Sequence, residues 1–150
     1  MKLAEALNER ADLQKRIEQL RVRLNNNAKV QEGENPNEDP AELLSELGSC
    51  CERLRELIVR INHTNSVTII EGETISSLIA QKDVLTLEIS VKRGLTEAAA
   101  LNYRRMSACE VKIYPTVNVR ELQKEIDRLS GQLRALDTKI QAANWNTDLL

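Results

Sequence analysis

Apolar residues recur along most of this chain at alternating steps of three and four. The longest run is Val119, Leu122, Ile126, Leu129, Leu133, Leu136, Ile140 and Ala143. That spacing holds one stripe on one side of a helix for about seven turns, and it predicts a helix over 119–143. Leu3, Ala6, Leu13, Ile17, Leu20 and Leu24 predict a first helix over 2–27. Arg10 interrupts its stripe, and the weak helix formers at 25–27, three asparagines, end it. Leu44, Leu47, Cys51, Leu54, Ile58 and Ile61 predict a second helix over 40–65, with Leu43, Cys50 and Leu57 widening the stripe on one flank.

The helix starts carry their own signals. Asp39 sits where an N-cap belongs, Pro40 at the first helical position, and Glu42 where a capping box needs a carboxylate. Asn118 and Glu121 repeat the arrangement for the last helix. Thr74 can cap a third helix over 74–105, with Gly94 as its candidate break. Ile75, Leu78, Ile79, Val84, Leu85, Leu87, Ile89 and Val91 cover more than one stripe of this helix. It should therefore be buried on two sides, and in a small chain the second side is open to another subunit.

Two segments leave the helical period. Val67, Thr68, Ile69 and Ile70 predict an extended piece near 66–71, and Val111, Lys112, Ile113 and Tyr114 predict another near 110–114. A lone short strand is unstable, so the two should pair with each other or across a subunit boundary. The fold class read from these elements is all-α. The 150 residues make one domain of long antiparallel helices in a bundle or coiled-coil-like arrangement, with two short extended segments. Positions flanking the last seam (Gln123, Ser130, Asp137; Glu125, Gln132, Lys139) are mixed and partly uncharged. They favour antiparallel packing over a charge-matched parallel zipper.

Composition sharpens this reading. Hydrophobic residues make up 41% of the chain but aromatics only 2%, with no Phe, so the apolar surface is aliphatic stripes. Thin helices need cover on more than one side, and a homo-oligomer is expected. The net charge of −2 argues against a nucleic-acid binder, although Lys92, Arg93, Tyr103, Arg104 and Arg105 form a modest basic patch. No apolar run approaches the roughly 18 residues of a membrane span, so no stable insertion is expected. The first residues are charged and periodic, unlike a signal peptide, and the three cysteines (Cys50, Cys51, Cys109) fit reduced thiols. Both point to the cytoplasm.

Chemistry is sparse. His63 is the only histidine, and no metal, nucleophile or cofactor motif accompanies it. No cofactor is expected and catalysis is disfavoured. The compact polar group Arg60, Asn62, His63, Thr64 and Asn65, near the end of the second helix, is the first candidate for a ligand or interface network. Its alternative role is to end that helix and fasten the next segment. The acidic linker over 28–39 offers Glu32, Glu34, Glu38 and Asp39 as a candidate cation loop, with a solvated loop as the alternative.

Five stretches together resemble the septicolysin-like family of small bacterial proteins: MKLAEAL, RADLQKRIEQLRVRL, NNAKVQEGENPNEDP, RINHTN and LDTKIQAANWNTDL. The resemblance implies a helical bacterial protein, and the family name implies lysis of cells. The residues themselves point to a non-enzymatic oligomer acting through assembly or partner binding. A membrane-acting cytolysin and a metal or ligand site assembled between subunits are the alternatives.

Overall fold

In the computed structural model, residues 1–100, 111 and 113–150 are described. Their elements run α1 (Leu3–Asn26), α2 (Pro40–Val67), β1 (Ile69–Ile70), β2 (Glu73–Thr74), α3 (Ile75–Ala100) and α4 (Val119–Asn146). The fold is all-α with one small antiparallel hairpin. These residues form two compact units: Met1–Ile75 with Ala142–Leu150, and Ser76–Gln141.

In the first unit, α1 and α2 pack against each other as an antiparallel pair. Ion pairs cross between them in reversed order: Glu9 with Arg53, Arg16 with Glu46, and Arg23 with Glu38 of the linker. Arg53 grips Glu9 with two parallel bonds, at 2.7 and 3.0 Å. Buried side chains include Leu3, Ala6 and Leu20 on α1 and Leu43, Leu57 and Ile61 on α2.

The buried stripe of α2 is not the expected one. Leu43, Leu47, Cys50, Leu54, Leu57, Ile61 and Thr64 face inward or are half-buried, while Leu44, Cys51 and Ile58 are exposed. Two apolar columns sit side by side on this helix, and steps of four and three carry the first from Leu43 through to Thr64. Both columns keep heptad spacing and share Leu47, Leu54 and Ile61, so spacing alone does not choose between them; the packing against α1 buries the side that carries Leu43 and Leu57.

Local chemistry sets the element ends much as expected. Asp39 accepts a bond from the Ala41 amide at 2.9 Å, with Pro40 opening α2. Asn118 accepts from the Glu121 amide at 3.1 Å at the start of α4. The amide of Lys2 donates to Glu5 at 2.7 Å at the start of α1. The extended piece near 66–71 is present as β1, but its partner is β2, with Ile69 opposite Thr74 and Ile70 opposite Glu73. Glu71 and Gly72 join them with φ of 51° and 91°, the two left-handed residues of a tight hairpin turn. In the second segment, Val111, Ile113 and Tyr114 are in no strand, and its other residues lie outside those described.

The first unit is closed by the last residues of the chain. Leu3 donates its amide to the Thr147 oxygen and Leu149 donates to the Met1 oxygen, both at 2.9 Å. Lys2 adds an ion pair with Asp148 at 2.9 Å, and Leu149 is buried.

In the second unit, α3 and α4 also run antiparallel, joined by Lys82 with Asp137 and Lys92 with Glu125. Ile89, Ile126 and Leu129 form its buried centre, with Leu85, Leu122 and Leu133 packed around them. The predicted α4 seam is the one that faces inward. α3 runs through Gly94 without a break, and its expected extension to 105 lies outside the described residues. One side of α3 meets α4. On the other side Val84, Leu87 and Val91 are each 65% exposed, and Leu95 is exposed beside them.

Candidate functional site

The polar group at the end of α2 gathers around the last residues of the chain. Arg60 is one turn before Thr64, on the buried side of the helix. Its Nε donates to the main-chain oxygen of Leu150 at 2.8 Å, and a terminal nitrogen reaches the Leu149 oxygen at 3.4 Å. Thr64 is fully buried. Its hydroxyl donates to the Arg60 oxygen at 2.8 Å and accepts from the Leu150 amide at 3.0 Å. Together these two side chains satisfy main-chain groups that would otherwise lie unpaired beside an apolar surface.

Of the five residues expected there, the structure draws in Arg60 and Thr64 and leaves Asn62 and His63 exposed. Ser66 donates to the His63 oxygen at 2.7 Å, which helps end the helix. Asn65 is half-buried, and its Oδ1 is buried without a hydrogen-bond partner. Thr64 is the member of the group that bonds both Arg60 and Leu150 through its side chain. The signal for it was spacing: it continues the column Leu57 and Ile61.

The acidic linker is divided between two tasks. Glu38 pairs with Arg23, and its amide donates to Asn27 Oδ1 at 3.0 Å. Asn27 is buried and returns a bond to the Arg23 oxygen at 2.9 Å. The Arg23 guanidinium, by direct hydrogen bonds, holds the Glu38 carboxyl below the usual glutamate range against the opposing cost of burial. Asp39 is occupied as the cap of α2, while Glu32 and Glu34 face solvent around a turn that Gly33 makes with a φ of +84°. Among the described residues, no three of His, Cys, Asp or Glu are arranged to hold a metal ion.

Elsewhere the surface offers open grooves. One, of about 620 Å³, is lined by Glu5, Asn8, Glu9, Asp12, Leu13 and Arg16, all on α1, so a single helix face forms it. Another, of about 530 Å³, lies where Leu95 of α3 meets the start of α4 at Asn118, Glu121 and Leu122. Neither brings a nucleophile, a base and an orienting group together. Cys51 is exposed and Cys50 half-buried, where both thiols were expected inside; Cys109 and the patch at Tyr103, Arg104 and Arg105 lie outside the described residues. No helix of the described residues is long and apolar enough to cross a membrane.

A family model described as a family of unknown function (DUF6847) matches residues 10–149. The crystal structure of a functionally unknown conserved protein from Corynebacterium diphtheriae is similar to this chain, with a TM-score of 0.94 and 38% identity. The match covers 100% of this chain and 99% of that one. No curated protein matches. These findings overturn the septicolysin-like resemblance, since nothing that matches is septicolysin-like. Most of the stretches that carried it are amphipathic helix, where unrelated chains share Leu, Glu, Lys and Arg at the same spacing for the same physical reason. Cell lysis rested on the family name and goes with it.

Proposed function

The chain belongs to this family of unknown function, and from that premise we propose that it is a non-enzymatic cytoplasmic protein that acts through self-assembly. One observation carries the reading: the exposed run of Val84, Leu87 and Val91 on α3. Scattered apolar residues are ordinary on a surface, but a column at helical spacing is the form in which one helix receives another. The exposed column Leu44, Cys51 and Ile58 on α2 is a second run of the same kind. Light scattering on the eluting protein should give a mass that is a multiple of 17.0 kDa. A monomer at every concentration from about 1 to about 100 µM, the range that reports weak to moderate association, would remove the proposal.

Asn65 favours a second reading, a ligand site at the end of α2 completed by another copy. Its buried Oδ1 has no partner, and Asn62 and His63 beside it are exposed. Asn62, His63 and Asn65 would recognise the ligand. Elemental analysis of the purified protein tests this, with a bound metal that is lost on His63→Ala as the expected result. Metal-free protein whose melting temperature ignores added divalent ions would count against it.

A further inference from the structure

We infer that the outer face of α3 pairs with the same face of a second copy, antiparallel, about a two-fold axis passing between Val84 and Leu87. The inference rests on the self-assembly reading and specifies its geometry. Ala80, Val84, Leu87, Val91, Gly94 and Ala98 succeed one another at steps of four and three, and all are exposed. They make a stripe about 27 Å long and one column wide, and its stretch from Ala80 to Val91, about 17 Å, is the part that pairs with itself in a two-helix contact. It lies on the far side of α3 from Leu85 and Ile89, which pack on α4. The second unit thus presents a two-faced helix with one face covered.

The residues beside the seam select the occupant. Ser76, Asp83, Ser90 and Glu97 run along one edge, and Gln81, Glu88 and Leu95 along the other. In an antiparallel pair like edges meet. With the axis between Val84 and Leu87, Val84 packs on the partner's Leu87 and Ala80 on the partner's Val91. Asp83 then faces the partner's Ser90, Glu97 the partner's Ser76, and Glu88 the partner's Gln81. Every acid meets a neutral side chain able to donate a hydrogen bond. Sliding the register by one heptad places Asp83 against the partner's Glu97 and Glu88 against the partner's Glu88. Parallel pairing sets Asp83 against the partner's Glu88 on both sides. Each alternative puts like charges face to face, which costs free energy and rejects the wrong arrangement. The shape of the layers alone would also accept a parallel pair, so charge decides the orientation. Within its own subunit Glu88 is bonded to Lys92 at 2.6 Å, which offsets part of its charge and leaves the Asp83 edge to carry most of the discrimination.

Sedimentation of three variants tests the arrangement. Leu87 is exposed, so Leu87→Glu leaves the core intact, with unchanged helicity by circular dichroism as the control. It should weaken the dimer at least about tenfold by placing a charge at the centre of the seam. Ser90→Lys should tighten it about threefold to tenfold, because each copy gains an ion pair with the partner's Asp83. Glu88→Lys, which only a parallel pair rewards, should not tighten it. A dimer unaffected by Leu87→Glu would overturn the α3 interface and leave self-assembly standing. A dimer tightened by Glu88→Lys but not by Ser90→Lys would overturn the orientation. A wild-type protein that stays monomeric would overturn this inference together with the reading beneath it.

Discussion

Thr64 does in one side chain what a longer polar cluster was expected to do. Its hydroxyl donates within α2 and accepts from Leu150, 86 positions away, in a place closed to solvent. Thr64→Val keeps the shape and removes both bonds, leaving the Leu150 amide without its acceptor. Chemical denaturation should show a loss of about 1–2 kcal/mol. Glycines give the complementary contrast. Gly48 sits in α2, and a Cβ there would meet nothing within 4 Å. Gly48→Ala should stabilise the fold by about 0.5–1 kcal/mol. Gly72 also has open space, but its φ is +91°. Gly72→Ala should destabilise by about 1–2 kcal/mol through backbone strain alone. The pair separates room from conformation as causes, and thermal melts of both variants check it.

At the scale of elements, the helix pairs share one device: Arg or Lys on one member bonded to Glu on the other. Glu9 beside Arg53 and Glu125 beside Lys92 are both held below the usual glutamate range, first by direct hydrogen bonds from those cations. Glu38 beside Arg23 behaves alike. A depressed carboxyl contributes stability that is complete above its unfolded value, about 4.3, and is lost as pH falls through the folded value. Stability should therefore hold from neutral pH to about 5 and decline below about 4.3. Added salt should shrink the effect, because these pairs are exposed. Acid titration followed by circular dichroism at low and high ionic strength measures both.

What could be read in advance at this scale was the period, and with it the existence of α1, α2, α3 and α4. Which of two adjacent stripes turns inward on α2 was not visible, because the choice depends on where α1 lies. The strand partner of β1 was missed for a similar reason. Glu71 is a poor advertisement for a left-handed turn, and only Gly72 hinted that the chain reverses there.

At the scale of the molecule, the sequence points to a polar group at the end of α2 but not to what that group bonds. Arg60 was singled out, yet its acceptors are the oxygens of Leu149 and Leu150, and no local pattern announces a partner 90 positions away. Glu38 reads as a candidate cation ligand or a solvated loop residue, because acidity is visible in a sequence and a salt bridge to Arg23 is not. The expectation of self-cover rests on a feature that could be read, the double stripe of α3. One stripe is covered within its unit and the other faces outward.

The bonds between residues 1–3 and 147–149 give the first unit an unusual schedule. α1 and α2 can meet as soon as both leave the ribosome, since the linker between them is short and their contacts are local. The amide of Leu3 and the hydroxyl of Thr64 must wait for Thr147 and Leu150, which are synthesised well after α2. Until then the nascent hairpin carries unfilled acceptors and donors at one end. The α1–α2 hairpin is therefore completed by residues made after the whole of the second unit.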